Sequence, residues 1–378
     1  MKTSTSKRLR WNVAIWLAAG LFMTSTAGMA SGPIMPDPKA EARHQPQVEE
    51  TANGIPLVNI TAPSSGGVSR NEYEMFNVPD KGAILNNSYT LSKTELAGYV
   101  PGNNNMAERP AKIIVNEVTG AGSTSMDGFL EVAGNRADVV IANPNGITVN
   151  GGGFINTGKA FLTTGKPVYD GEDHLQRFDI TGGDILIEGK GLGGKETESL
   201  AILSRAVKIN AGIWAEDLHI TTGANTVDAK TLEASAIEGK GGRPAFALDT
   251  AAIGGMYAGR ITLVGTEKGL GVNNSGTIYS KGNADLRANY LENDKTIAAE
   301  RNLSAAAKEN IRNQGKLLAG ENIDIYAGKT LDNAGHAMES GNNLSIETGD
   351  AINNAAGTIK SGGSQQIKAG HALTNTEG

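Results

Sequence analysis

Residues 291–333 read LENDKTIAAERNLSAAAKENIRNQGKLLAGENIDIYAGKTLDN, and their spacing decides the fold. An apolar–x–Asn triplet opens the stretch at Leu291-Glu292-Asn293 and returns at Ile311-Arg312-Asn313 and Leu331-Asp332-Asn333. Outward from there the triplet recurs at Val272-Asn273-Asn274, Ile352-Asn353-Asn354 and Leu373-Thr374-Asn375, with starts 19, 20, 20, 21 and 21 residues apart. A second apolar site follows at Ile278, Ile297, Leu317, Met338 and Ile359, and a third at Leu286, Leu303, Ile323, Leu344 and Ile367. Three short strands bounded by turns in ~20 residues describe one rung of a parallel β-helix. One rung cannot bury its own apolar side chains, so rungs must stack. Asn274, Asn293, Asn313, Asn333, Asn354 and Asn375 then occupy one position on successive rungs, where carboxamides hydrogen-bond along the stack as a ladder. Gly282, Gly320, Gly341 and Gly362 are expected to supply corners with φ > 0. A leucine-rich repeat has a similar period, but no unit provides its L-x-x-L-x-L-x-x-N pattern.

Upstream the pattern continues as short apolar runs between Gly/Asn clusters, such as Ile113-Ile114-Val115, Val139-Val140-Ile141, Ile185-Leu186-Ile187 and Ile261-Thr262-Leu263-Val264. Few segments keep apolar residues at 3.6 spacing for three turns. The fold class is all-β, a β-solenoid; some 320 residues at ~20 per rung and ~4.8 Å per strand make a rod of roughly 75 Å. Composition agrees. Of 378 residues, 50 are Gly and 33 Asn, so the chain turns often. Without cysteine there is no disulfide scaffold, thiolate metal site or cysteine nucleophile. Twelve prolines and no Gly triplet period exclude collagen. Apolar residues at 39% and charged ones at 20% oppose full disorder. A net charge of −6 argues against nucleic acid as a partner.

Residues 1–30 have the order of a secretory signal: Lys2, Lys7, Arg8 and Arg10, then the largely apolar run from Trp11 to Met23, then small residues to Ala30. The apolar run is too short to cross a ~30 Å hydrocarbon core as a helix. Residues 31–50, with Pro33, Pro36, Pro38 and Pro46, read as a flexible polar linker. A secreted chain without cysteine suits threading through a narrow pore; a long core that needs no staples accounts for it equally.

The stretch AKIIVNEVTG at 111–120, ADVVIANPNGI at 137–147 and GFINT at 153–157 resembles the secretion domain of two-partner-secretion exoproteins, the filamentous haemagglutinin and haemolysin/contact-inhibition toxin family of Gram-negative bacteria. LDTAAIGGMYA at 248–258, followed by GLGV at 269–272, is similar to the start of that family's haemagglutinin repeats. The resemblance implies a secretion domain over residues 51–250 and repeats over 251–378, folded as a right-handed parallel β-helix. It also implies a partner, a dedicated outer-membrane β-barrel transporter whose periplasmic domains recognise the secretion domain before the chain folds outside the cell. A host or neighbouring-cell receptor or glycan is the second implied partner, and the location is the surface or surroundings of a Gram-negative cell.

Asn143-Pro144-Asn145-Gly146-Ile147 matches the family's N-P-N-G-I motif. Its N-P-N-L signature falls at Asn103-Asn104-Asn105-Met106, which departs at the proline and the leucine, and Asn86-Asn87 stand where N-N-S is common. By turn chemistry alone, Asn-Pro-Asn-Gly is a type I turn in which Asn143 bonds the backbone ahead.

Catalysis finds little support. Gly189-Lys190-Gly191-Leu192-Gly193-Gly194 satisfies G-x-G-x-x-G, but no strand–helix alternation surrounds it and Glu196 stands where a phosphate loop needs Ser or Thr. It reads as a mobile surface loop with no nucleotide. Asp170, Glu172, Asp173 and Arg177 are the carboxylate cluster a polysaccharide-degrading β-helix would use; four charges in eight residues read as a solvated loop. The histidines are isolated, so no metal site or cofactor is expected. The expectation is a secreted, non-enzymatic adhesin-type exoprotein, with a toxin-delivery stalk or haemolysin, or a polysaccharide-degrading enzyme, as alternatives. No polar cap rung follows Leu373, so the chain is expected to be part of a longer protein.

Overall fold

The computed structural model describes residues 32–106 and 109–377; the expected signal segment lies outside the described residues. Among them every element is a β-strand apart from two 3-10 turns, Ala42–His44 and Asn104–Met106. In the repeats each rung has three strands. One rung is Leu291–Asn293, Thr296–Ala299 and Leu303–Ala307; the next is Ile311–Asn313, Lys316–Ala319 and Ile323–Ala327. Each strand pairs in parallel with its counterpart one rung on: Leu291 with Ile311, Ile297 with Leu317, Leu303 with Ile323.

The first strands form an eleven-stranded ladder from Thr124–Met126 to Ala372–Thr374. The other two columns merge where long strands such as Gly212–Thr222 and Gly255–Gly265 bend around a corner and serve both. Apolar side chains alternate inward along the stacked rungs, and most join one core running from Ile34 through Ile352. Burying each Leu or Ile stabilises the stack by ~1.5–3 kcal/mol, and only stacking buries them.

Four expectations need correction. Residues 31–50 are not a flexible linker. Ile34–Pro36 pairs antiparallel with Val68–Phe76, Gln47–Glu50 pairs antiparallel with Pro56–Asn59, and His44 is buried, so this segment covers the first rungs. Pro33, Pro36 and Pro46 sit at or beside strand ends and Pro38 in a turn, where no ladder N–H is needed.

The third apolar site is two sites. Ala284, Leu303, Ile323, Leu344 and Gln365 share one register, and Leu286, Ala305, Ile325, Ile346 and Ile367 the other. Both face inward because strand side chains alternate with period two. Alanine fills one of them where a rung has its large residue in the other, which disguised the register.

Gly282, Gly320, Gly341 and Gly362 do not have positive φ. A Cβ on Gly341 would overlap the carbonyl oxygen of Gly320, and one on Gly362 that of Gly341. These corners need glycine for close approach between rungs. Positive φ occurs elsewhere, as at Gly335 (+73°).

The G-x-G-x-x-G run is not a loop throughout. Leu192–Gly194 is a strand between Gly152–Ile155 and Gly212–Thr222. The charged segment 170–177 caps a hairpin of Lys166–Tyr169 and Leu175–Ile180. With Asn225–Asp228 and Ala234–Ala236 this hairpin forms a four-stranded antiparallel sheet outside the solenoid. Phe178 and Val227 dock that sheet on Val115, Val140, Phe161 and Ala201 as a second hydrophobic cluster.

Candidate functional site

The two asparagine motifs stand at corners of the early rungs and share one local geometry. Asn143 follows the strand Ala137–Ala142, and its Oδ1 accepts the backbone N–H of Asn145 at 2.9 Å while its carbonyl accepts that of Gly146 at 3.1 Å. Asn143 Nδ2 then donates back to the previous rung, to the Gly122 carbonyl at 2.9 Å and Thr124 Oγ1 at 3.0 Å. Asn145 Nδ2 donates to the Gly120 carbonyl at 2.8 Å. Pro144 and Asn145 are exposed, whereas Asn143, Gly146 and Ile147 are buried.

Asn103–Met106 repeats this arrangement without the proline. Asn103 Oδ1 accepts the N–H of Asn105 at 3.0 Å, and its carbonyl accepts that of Met106 at 3.1 Å. Asn103 and Asn105 donate their Nδ2 to the Ile60 carbonyl at 2.8 and 3.1 Å. Asn104 is exposed and Met106 buried, the places that Pro144 and Gly146 take in the other turn. The departure from N-P-N-L therefore keeps the turn, because the Asn side chain that closes it is present in both.

Asn86 and Asn87 lie on the buried strand Ala83–Asn87. Asn86 Nδ2 donates to Asn59 Oδ1 at 2.8 Å and to the Pro101 carbonyl at 2.9 Å. Asn87 bridges three segments: its Nδ2 reaches the carbonyls of Ala111 and Asn135, and its Oδ1 accepts the Ala111 N–H at 2.7 Å.

In the repeats the inward asparagines are linked head to tail. Nδ2 of Asn274 donates to Oδ1 of Asn293 at 2.8 Å, and the same bond links Asn293 to Asn313, Asn313 to Asn333, Asn333 to Asn354, and Asn354 to Asn375 at 2.6–2.7 Å. In earlier rungs this column holds Met126, Val149, Ile187 and Ile209, and Thr250 precedes Asn274. The lining passes from aliphatic to amide across Thr250. A second ladder escaped the sequence reading: Asn302 Nδ2 donates to Asn283 Oδ1 and Asn322 Nδ2 to Asn302 Oδ1, at an exposed corner. Its signal is an Asn one or two residues before the third strand, as at Asn302, Asn322 and Asn343.

Sequence reasoning also missed a charged cluster where the amino-terminal segment meets the outer sheet. Arg70 pairs with Glu72 at 2.9 Å and reaches Glu117 at 3.4 Å, its guanidinium lies 4.5 Å from the Tyr169 ring centroid, and His44 Nδ1 is 3.0 Å from Glu72. Burial holds the Glu117 carboxyl above its ordinary range. Burial, with the Arg70 charge second, holds His44 below its own, so His44 is neutral near pH 7. The signal available was a Glu inside the apolar run IIVNEV at 113–118. Arg43, His44, Arg70, Asn105 and Asp173 line a cavity of about 400 Å³ beside it.

Two of the three carboxylates proposed for a polysaccharide-degrading site, Asp170 and Asp173, are engaged in closing the hairpin, as is Arg177. Asp170 accepts the backbone N–H groups of Glu172 and His174, Asp173 pairs with Arg43 at 2.8 Å, and Arg177 pairs with Asp179 at 2.9 Å. They close a hairpin and pin it to the amino-terminal segment. Among the described residues no group of three or more His, Asp or Glu is placed to hold a metal ion.

Comparison with known proteins fits this geometry. The family model described as TPS secretion domain matches residues 33–291, and that of the haemagglutinin repeat matches 279–335 and 327–377. The chain is 43% identical over 292 residues to the toxin CdiA of Yersinia pestis, covering 76% of this chain and 9% of that protein. It is 40% identical over 319 residues to the 16S rRNA endonuclease CdiA of Enterobacter cloacae, covering 82% and 10%. The crystal structure of a filamentous hemagglutinin secretion domain aligns with a TM-score of 0.63 at 26% identity, over 91% of this chain and all of that one. The chain thus spans about a tenth of the length of the curated relatives it matches. With a solenoid, a covered first rung and a match over residues 33–291, the chain belongs to the TPS secretion domain family of two-partner-secreted exoproteins.

Proposed function

We propose that this chain is the export module and first stalk segment of a longer surface exoprotein, carried across the outer membrane by a dedicated transporter. The observation that carries the reading is continuity. The rungs pass from the secretion-domain match into the haemagglutinin repeats in unbroken parallel register, from Gly255–Gly265 onto Thr277–Ser280 and Ala284–Ala288. A rung that has folded offers its strand edge to the next, so folding outside the pore draws the chain forward by strand addition.

In this reading the repeats are an adhesive or spacing stalk. The names of the CdiA relatives favour a second use of the same stalk, display of a toxin carried further along the chain. The secretion region itself is non-enzymatic. In this reading the turns at Asn103–Met106 and Asn143–Gly146 tie neighbouring segments together, through the Asn side chains that donate to the carbonyls of Ile60, Gly120 and Gly122.

The test is export into the medium with and without the cognate transporter. Retention in the periplasm without the transporter is expected; equal export in both would overturn the reading. Pro144→Ala, at an exposed position, is expected to leave melting temperature and export unchanged. Lost export at an unchanged melting temperature would show that the turn is read directly by the transporter.

A further inference from the structure

One outward face of the solenoid is apolar along its middle and charged along one corner. Register places Gly193, Trp214, Tyr257, Tyr279 and Ala298 side by side, with Gly153 and Leu318 on the next strand at either end. The column two residues earlier, Gly212, Gly255, Thr277 and Thr296, is uncharged until Lys316. Tyr257 is 37% exposed, and Trp214 and Tyr279 beside it are half-buried. The Trp214 and Tyr257 planes differ by 16° with centroids 6.4 Å apart, so the two rings form one surface. Ile253, at the turn into the Tyr257 rung, is 84% exposed.

Two residues beyond the central column each rung turns a corner, at Lys195, Glu216, Gly259, Lys281 and Glu300. The four charged residues are exposed. Rung by rung the corner reads positive, negative, neutral, positive, negative. Among the described residues none of the four forms an ion pair within the chain, although Glu300 accepts the Tyr279 hydroxyl.

That order of signs is its own complement when reversed. A two-fold axis at Tyr257, parallel to the strands, sets two rods antiparallel and lays the rungs together in opposite order. Tyr257 then meets Tyr257, and Trp214 meets Tyr279 of the second copy. Glu216 faces Lys281 and Lys195 faces Glu300, and each contact occurs twice, as in any isologous interface. Gly193 is set against Ala298, and Gly153 against Leu318. On the far corner Lys190 lies toward Lys295 of the second copy, but Lys295 Nζ turns back to the Ala252 carbonyl at 3.5 Å and Asp294 stands next to it. A two-fold along the solenoid axis would instead bring Lys195 near Lys190, so charge selects the antiparallel arrangement.

We propose that two copies of this chain associate face to face and antiparallel through this surface, centred on Tyr257. Seven strands at ~4.8 Å and about four residues at ~3.4 Å give a footprint of roughly 400 Å² on each copy. Twice that is small for a protein interface, so the dimer is weak and reversible. The inference is independent of the transporter reading, since a purified chain pairs or does not without a transporter.

Sedimentation equilibrium of the purified chain is expected to show a reversible dimer with a dissociation constant of about 10–100 μM. Lys281→Glu sets like charges together at two symmetric places and is expected to weaken it about tenfold. The double variant Glu216→Lys/Lys281→Glu exchanges the signs and is expected to recover the native affinity. The chain has no cysteine, so Tyr257→Cys carries a single thiol, placed at the two-fold. Mild oxidation is expected to cross-link it to a covalent dimer, and to leave Tyr326→Cys, exposed on the third strand, largely monomeric. A chain still monomeric at about 1 mM would overturn the proposal. So would an affinity that Lys281→Glu leaves unchanged, a loss that the double variant does not recover, or equal cross-linking at Tyr257→Cys and Tyr326→Cys.

Discussion

Replacing Asn313 by alanine tests whether the inner ladder holds the rungs together. Asn313 is 1% exposed. Its Nδ2 donates to Asn333 Oδ1 at 2.7 Å and to the Ala337 carbonyl at 3.1 Å, and its Oδ1 accepts from Asn293 Nδ2 at 2.7 Å. After Asn313→Ala, Asn293 Nδ2 still has the Lys316 carbonyl at 3.2 Å, whereas Asn333 Oδ1 loses its donor. Two ladder bonds at ~1 kcal/mol net each, with ~1–3 kcal/mol for a buried acceptor left unpaired, give about 3–5 kcal/mol.

The same change at exposed Asn375 is expected to cost under ~0.5 kcal/mol. The double variant Asn313→Ala/Asn333→Ala is expected to cost less than the two singles together, because the second change removes the acceptor the first orphaned. Urea denaturation measures the loss. Native-state hydrogen exchange places it in the flanking rungs, since solenoid stability is a sum over neighbours. A cost below ~1 kcal/mol for Asn313→Ala, or one equal to that of Asn375→Ala, would refute the reasoning and make the ladder no better than bonds to water.

Three further outcomes follow from the packing and the titrating groups. Gly341→Ala sets a Cβ against the Gly320 carbonyl, a backbone atom with nowhere to go, and is expected to cost ~1–3 kcal/mol; Gly122→Ala, with open space around it, is expected within ~0.5 kcal/mol, both by urea denaturation. Phe178→Ala empties a fully buried site whose ring is tilted against Phe161 with centroids 5.8 Å apart, and is expected to cost ~3–5 kcal/mol and to expose residues 170–174 to limited proteolysis. Burial lowers the His219 pKa from 6.5 to about 4, so the folded chain binds fewer protons than the unfolded one between those values. Its contribution is complete above pH 6.5 and declines as pH falls toward 4, by at most ~1.4 kcal/mol per pH unit. Urea curves at pH 7 and 5 are expected to differ more for the native sequence than for His219→Gln, and equal differences would count against a neutral buried imidazole.

The repeats were legible because one chemistry recurs at one spacing: Leu291, Ile311 and Leu331 open rungs that stack as read, and Ile297, Leu317 and Met338 share a register. The third strand misled because two inward sites lie two residues apart, and Ala305 occupies the one that Leu286 fills a rung earlier. The amino-terminal cover was illegible for a different reason. Ile34–Pro36 and Gln47–Glu50 are short strands set by their partners Val68–Phe76 and Pro56–Asn59, within a segment whose overall composition is polar and proline-rich. The same holds for the outer sheet, where Phe178 and Val227 are isolated apolar residues until Phe161 gives them a floor. Glycine's role at the corners was misassigned because composition shows that a side chain is missing, and only the neighbouring carbonyl shows why. Of the site, the turn at Asn143 was visible as local chemistry, whereas Arg70, Glu72 and Glu117 become a cluster only when parallel register sets Glu72 beside Glu117.

The two amide ladders point in opposite directions, and each direction is enforced. In the inner one every Nδ2 also meets a backbone carbonyl, such as Gly276 for Asn274 and Lys316 for Asn293, so flipping one carboxamide would press oxygen against oxygen. In the outer one Oδ1 also accepts a backbone N–H from the next rung, as from Asn302 to Asn283 and from Asn322 to Asn302. A stack ending at the rung of Asn302 or Asn322 therefore ends in a free donor inside and a free acceptor at the corner. That pair works as a keyed socket. An arriving turn seats only if it presents oxygen to the core and nitrogen to the rim. A segment slipped by one residue would place its inward Asn on the outer face, a reversed one would invert both signs, and either would fail to latch.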